Sequence, residues 1–299
     1  MLSILESPPL ATLEPEADAA RNGQVVAVWG PIGSTGKTTL AINIAHELAS
    51  AGHSVLLIDA DTHAPSLEVQ LNLVDHPAGL AAACRLSAQD RLTIDEVKRL
   101  SQLIEISGTQ LHAMTGISSS SRWPEVSSEK LERLISLATT GFDFVVLDVS
   151  CELSSDAVQP ASGFERNVAT LTALSLANLV ISIALADPVG IRRFILARQE
   201  LSELRLDAEI LTVINRVRAS VIGNNPKQQI ADTLGRFANL EIDAFLPDEP
   251  ETLDRCILES TPISLAKRKS SVRQAISLLV KNHILKQSNP LERRVARLD

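Results

Sequence analysis

GQVVAVWGPIGSTGKTTLAINIAHELASAG, residues 23–52, decides the fold. Val25 to Trp29 form an unbroken apolar run that predicts a short buried strand. Leu40, Ile44 and Leu48 recur at helical spacing and predict a helix that stops at Gly52. Between them lies a loop holding Gly33, Ser34, Thr35, Gly36, Lys37, Thr38 and Thr39. Strand, glycine loop and helix in that order make a cradle for phosphate. The helix start offers unpaired N–H groups and the positive end of a dipole, and glycine lets the backbone come close. A lysine at this place reaches β- and γ-phosphate oxygens, and the hydroxyl after it binds Mg²⁺. The pattern G-x-x-x-x-G-K-[ST] wants glycine where Pro31 stands, and Gly30 falls one place early. The reading therefore rests on GSTGKTT together with its flanking strand and helix.

Further along, Ser54 to Ile58 predict a second buried strand, closed by Asp59-Ala60-Asp61. Two carboxylates past the end of a strand lie where open parallel sheets bind ligands. Beside a Mg²⁺–triphosphate they hold metal-bound water or orient the attacking water. The plainer alternative is that Asp61-Thr62 opens a turn before Pro65. Phe144 to Leu147 read as a strand ending in Asp148, the form of a Walker B element. Leu111–Met114, 179–185 and 210–217 add strands, and the last of these ends near Asn215 and Arg216. Ile94 to Leu103 read as helix, 118–125 as a polar loop, and Trp123 as a ring at the core edge. Asp187-Pro188 supplies an N-cap and an N1 proline for the next helix. Buried strands alternating with amphipathic helices predict an α/β fold with a single doubly wound, mostly parallel sheet.

Length and composition set the bounds. A chain of 299 residues, 45% hydrophobic and 21% charged, is large enough for an ample core. Its net charge of −8 argues against nucleic-acid binding through bulk charge. Cys84, Cys151 and Cys256 lack metal-ligand spacing and read as small core residues in a reducing cytosol. No basic n-region precedes an apolar core at the start, so no secretory signal is expected. Residues 1–22 read as a flexible tail, 23–288 as one domain and 289–299 as a short basic tail. LERRVARLD at 291–299 puts Leu291, Val295 and Leu298 on one face but is barely two turns long, so alone it binds membrane weakly. The basic run 267–273 suits a solvated helix start at least as well as a DNA contact.

Together these segments resemble the MinD/ParA family of P-loop ATPases, which implies a P-loop NTPase fold of the SIMIBI type. The residues that carry the likeness are GSTGKTTLAINIAHELASAGHSVLLIDAD, FDFVVLD, VINRV and the stretch from Phe245 to Ile276. Within the family, VWGP, LHAMTGISSSSRW and ADPVGIRRF are most similar to the CpaE/TadZ branch, associated with Flp/Tad pilus assembly. The resemblance implies ATP and Mg²⁺ as cofactors, with residues 33–39 on the phosphates. It implies Thr38, Asp148 and Asp59 at the metal, and Asp61 and Lys37 in catalysis. Asn215, Pro247 and Asp248 then serve the base. It further implies a homodimer, a protein partner in pilus or division machinery, and a cytoplasmic protein recruited to a pole or the inner membrane face. ParA-type DNA binding is the less favoured alternative. The family's deviant Walker A carries a lysine at the second cradle position that touches the partner's nucleotide. Here that position is Ile32, and no proline switch follows Asp148. Slow hydrolysis, or a non-hydrolysing scaffold, is therefore expected.

Overall fold

The computed structural model describes residues 23–154 and 165–287. The expected tails at 1–22 and 289–299 lie outside the described residues. Among the described residues eight strands form one sheet: β1 (Gln24–Trp29), β2 (Val55–Asp59), β3 (Gln102–Ile106), β4 (Thr109–Met114), β5 (Phe144–Asp148), β6 (Leu179–Leu185), β7 (Glu209–Val217) and β8 (Ala244–Pro247). Their order is β3-β4-β2-β5-β1-β6-β7-β8. All pairs are parallel except β3 with β4.

Every residue of β1, β2 and β5 is buried, as strands covered on both faces must be. Alternate side chains go to opposite layers. Val26 and Val28 pack with the helix α1 (Lys37–Ser50) and with Val272, Ile276 and Leu279 from the helix Ser271–Leu279. Val25, Ala27 and Trp29 pack on the other side against Leu131, Leu134 and Ala138 of the helix Ser128–Gly141.

The sheet edge departs from expectation. The helix read from Ile94 to Leu103 ends at Leu100, where the Ser101 hydroxyl donates to the Lys98 carbonyl. Gln102–Ile106 is instead a strand, antiparallel to β4 across a two-residue turn. Ser107 and Gly108 both have positive φ, 51° and 79°, which matches the right-handed twist of a tight hairpin. Ser120–Glu125, read as loop, is a 3₁₀ turn. Trp123 is half-buried there, packed against the core, with the Arg166 guanidinium 5.3 Å from its ring centre. Among the described residues no helix is long and apolar enough to cross a membrane.

Candidate functional site

The site forms where β1, β2 and β5 end together. After Trp29 the chain turns through Gly33 (φ 122°), Ser34 (φ 53°) and Gly36 (φ 93°) before α1 begins. Gly36 caps α1 without any side-chain hydrogen bond. The N–H groups of Lys37, Thr38 and Thr39 thus meet no capping side chain, which leaves the helix start set for an anion. The turn is held tightly. A Cβ on Gly30 would fall 2.4 Å from the Ile183 carbonyl oxygen, and one on Gly36 would fall 2.6 Å from Asn215 Nδ2. Asn215 Nδ2 donates to the Thr35 carbonyl at 2.8 Å, while Asn215 Oδ1 accepts from the Arg216 N–H. Thr35 Oγ1 is buried without a hydrogen-bond partner among the described residues.

Parallel pairing in register sets Asp59 and Asp148 side by side at the ends of β2 and β5. Both are 1% exposed. Thr38 Oγ1 donates to Asp148 Oδ2 at 2.5 Å, and Asp148 Oδ1 is buried with no hydrogen-bond partner among the described residues. Burial pushes the Asp148 carboxyl up to about 7, although the Thr38 hydrogen bond and the Lys37 charge pull it down. Asp59 lies well above the ordinary range through burial and then the neighbouring Asp148. Its Oδ2 accepts from the Ser66 and Leu67 N–H groups, each at 3.0 Å, and its Oδ1 from the Asp61 N–H. Asp61 is also engaged: its Oδ1 accepts from the His63 and Ala64 N–H groups at 2.9 Å, closing a turn. That turn is fixed from outside by Arg166, which donates to Thr62, and by Asn167, whose Oδ1 lies 2.7 Å from His63 Nε2.

Two concavities flank the cradle. One, of about 310 Å³, is lined by Gly36, Thr39, Asn215, Arg216, Asp248 and Leu253, among others. Asn215 and Asp248, expected near a base, meet there, and Arg218 stands 3.6 Å from Asp248. Pro247 ends β8 and is not among the lining residues. Arg216, Arg218 and Gln70 also line this concavity. Sequence reasoning assigned them no role, and VINRV followed by Arg218 was the available signal. Ser66, whose Oγ stands 3.2 Å from Thr38 Oγ1, was missed because only the loop after Asp61 brings it in. The second concavity, of about 650 Å³, has Pro31, Ile32, Cys151, Glu152 and Arg193 on its walls. Cys151 is therefore a half-buried wall residue rather than a core one, whereas Cys84 and Cys256 are buried. Ile32 is 63% exposed. The basic run is partly neutralised, since Arg273 bonds Glu47 at 2.9 Å and Lys267 stands 3.8 Å from Glu249.

Chemically, the cradle suits an anion, and the unpartnered Asp148 oxygen beside Thr38 suits a hard divalent cation. Among the described residues no group of three or more His, Cys, Asp or Glu could hold a metal alone. A Mg²⁺ ion fits this donor set, because it is usually held by one or two protein oxygens together with water and phosphate.

A profile of the CobQ/CobB/MinD/ParA nucleotide binding domain matches residues 26–255. The septum site-determining protein MinD of Synechocystis sp. is 24% identical over 240 residues, covering 77% of this chain and 78% of that one. The fold is similar to MinD of Pyrococcus horikoshii, solved in complex with Mg-ADP, at TM-score 0.68 and 17% identity; 90% of this chain and 99% of that chain are covered. A ParA family ATPase from Chlorobium tepidum superposes at TM-score 0.70 and 17% identity, over 85% of this chain and 97% of that one.

Proposed function

Because the chain belongs to the CobQ/CobB/MinD/ParA nucleotide-binding-domain family, we propose that it binds ATP with Mg²⁺ and acts as a nucleotide-dependent spatial organiser. The observation that carries this reading is the Thr38–Asp148 pair at an uncapped helix start, with one buried Asp148 oxygen left over. Backbone N–H groups of Gly33 to Thr38 bind phosphate oxygens, and the Lys37 ammonium draws β- and γ-oxygens to the cradle. Thr39, which lines the first concavity beside Gly36, completes the phosphate contacts. Thr38 and Asp148 hold the magnesium and its water, and Asp59 steadies that pair from β2. Magnesium supplies charge neutralisation across the phosphates. Asp61 orients the attacking water through the oxygen not used in its turn. Asn215 and Asp248 border the concavity sized for the base, with Pro247 shaping the strand end behind Asp248.

Hydrolysis in this scheme is slow. Ile32 brings no charge to the cradle, and this favours a second reading in which the protein is a non-hydrolysing scaffold that responds to occupancy alone. Either form works as a homodimer in the cytoplasm, recruited to a pole or the inner membrane face by a protein of pilus or division machinery. Similarity of VWGP, LHAMTGISSSSRW and ADPVGIRRF to the CpaE/TadZ branch supports pilus assembly over septum placement.

Equilibrium binding of MgATP to wild type and Lys37→Ala tests the core of this. We expect at least a tenfold loss in the variant, and equal affinities would end the assignment. Phosphate release assayed alongside sizing in ADP, ATP and a non-hydrolysable analogue separates the two readings. Turnover with a dimer confined to ATP favours the organiser that hydrolyses. A dimer without turnover favours the scaffold.

A further inference from the structure

The guanidinium of Arg193 rests on the phosphate cradle, and none of the roles above uses it. Arg193 lies in the helix Pro188–Glu203, whose start is fixed by Asp187 Oδ1 accepting from the Gly190 N–H at 2.8 Å. A Cβ placed on Gly33 would sit 2.7 Å from Arg193 Nη1, with Cζ at 3.8 Å. With φ at 122°, Gly33 has a conformation that other residues rarely adopt. The loop therefore has glycine both for its turn and for the approach of this side chain. Arg193 is exposed and makes no hydrogen bond or ion pair among the described residues. Its neighbour Arg192 points elsewhere, into a groove between two helices. Glu200, two turns further on, lines the same concavity as Arg193 but forms no ion pair with it.

The cradle has a direction. The concavity with Asn215 and Asp248 opens beside Gly36 and Thr39 at one end, while Ile32, Cys151 and Arg193 stand at the other. A nucleotide whose base occupies the first concavity lays its terminal phosphate toward the second.

We infer that Arg193 is a terminal-phosphate ligand that lets this protein tell a nucleoside triphosphate from a diphosphate. The inference rests on the nucleotide-binding reading given above. Chemically the case is one of charge and shape: a planar, always-charged fork with five donors matches phosphate oxygens. The fork lies against Gly33, one of the loop's glycines, unpaired among the described residues.

The test measures Mg²⁺-dependent affinity for a non-hydrolysable ATP analogue and for ADP, in wild type, Arg193→Ala, Arg193→Lys and Lys37→Ala. Hydrogen bonds to charged groups predict a loss of about 10- to 100-fold for the analogue in Arg193→Ala. ADP affinity should stay within about 2-fold, and Arg193→Lys should recover part of the loss. Thermal melting should not change, because the side chain is exposed and unpartnered. An equal loss for both nucleotides, or no loss for either, overturns the role of Arg193 while leaving nucleotide binding in place. If wild type binds neither nucleotide, or Lys37→Ala binds both as wild type does, the underlying reading falls and takes this one with it.

Discussion

Asp59 and Asp148 show how much one pair of residues can cost a fold. Two carboxylates meet at 1% exposure in register across β2 and β5, and burial holds Asp148 near pH 7 against an ordinary value of 3.8. The sign of the linkage follows from the proton count. Between pH 4 and 7 the folded chain keeps a proton on Asp148 that the unfolded chain has lost, so stability falls as pH rises through this window. Urea unfolding of metal-free protein should therefore show a midpoint that declines from about pH 4 to about pH 7. Asp59, raised by burial as well, adds to the decline, so Asp148→Asn should make it shallower and Asp59→Asn with Asp148→Asn shallower still. A midpoint that instead climbs with pH would show that the pair is stabilised when charged. Sequence reading named both acids, because each closes an apolar strand. Their contact was not legible, since it depends on β2 and β5 being neighbours although about 90 residues apart in the chain.

Among the elements, the helix Pro188–Glu203 links the cradle to the rest of the molecule. Its start is written locally: Asp187 caps it and Pro188 occupies the first turn, as the sequence reading expected. Removing the cap in Asp187→Ala should lower unfolding free energy by about 1 kcal/mol, read by chemical denaturation. A change of a few tenths at most would mean that packing alone fixes the helix. The basic helix start at 270 is local only in its cap and is otherwise tied to the more distant Glu249. Ser270 accepts from the Arg273 N–H and donates to Glu249, and Ser271 also bonds Glu249. Short edge strands are harder to read. Gln102–Ile106 alternates Leu103 and Glu105 toward exposure, yet it follows an apolar helix pattern so closely that the boundary vanishes in sequence. Only pairing with β4 fixes it as a strand.

For the whole molecule, charge and topology decide what it meets. A chain of net charge −8 whose basic run is partly tied to Glu47 and Glu249 is expected to attract a polyanion weakly. No binding to duplex DNA should be detectable by fluorescence anisotropy at about 150 mM salt, and affinity that falls steeply with added salt would revive the partitioning alternative. Apart from the edge strand Gln102–Ile106, most of the alternation of strands and helices, the phosphate turn and the acids at strand ends were written in the sequence. Each depends on residues a few positions apart: apolar runs, glycines that permit positive φ, and caps. What the sequence alone left open was which distant segments share a boundary. Sheet order placed Asn215 against the Thr35 carbonyl and Asp148 against Thr38. The packing of one helix on the loop set Arg193 on Gly33. Those contacts join residues more than a hundred positions apart, where no local periodicity reaches and only the closing of a common core brings side chains together.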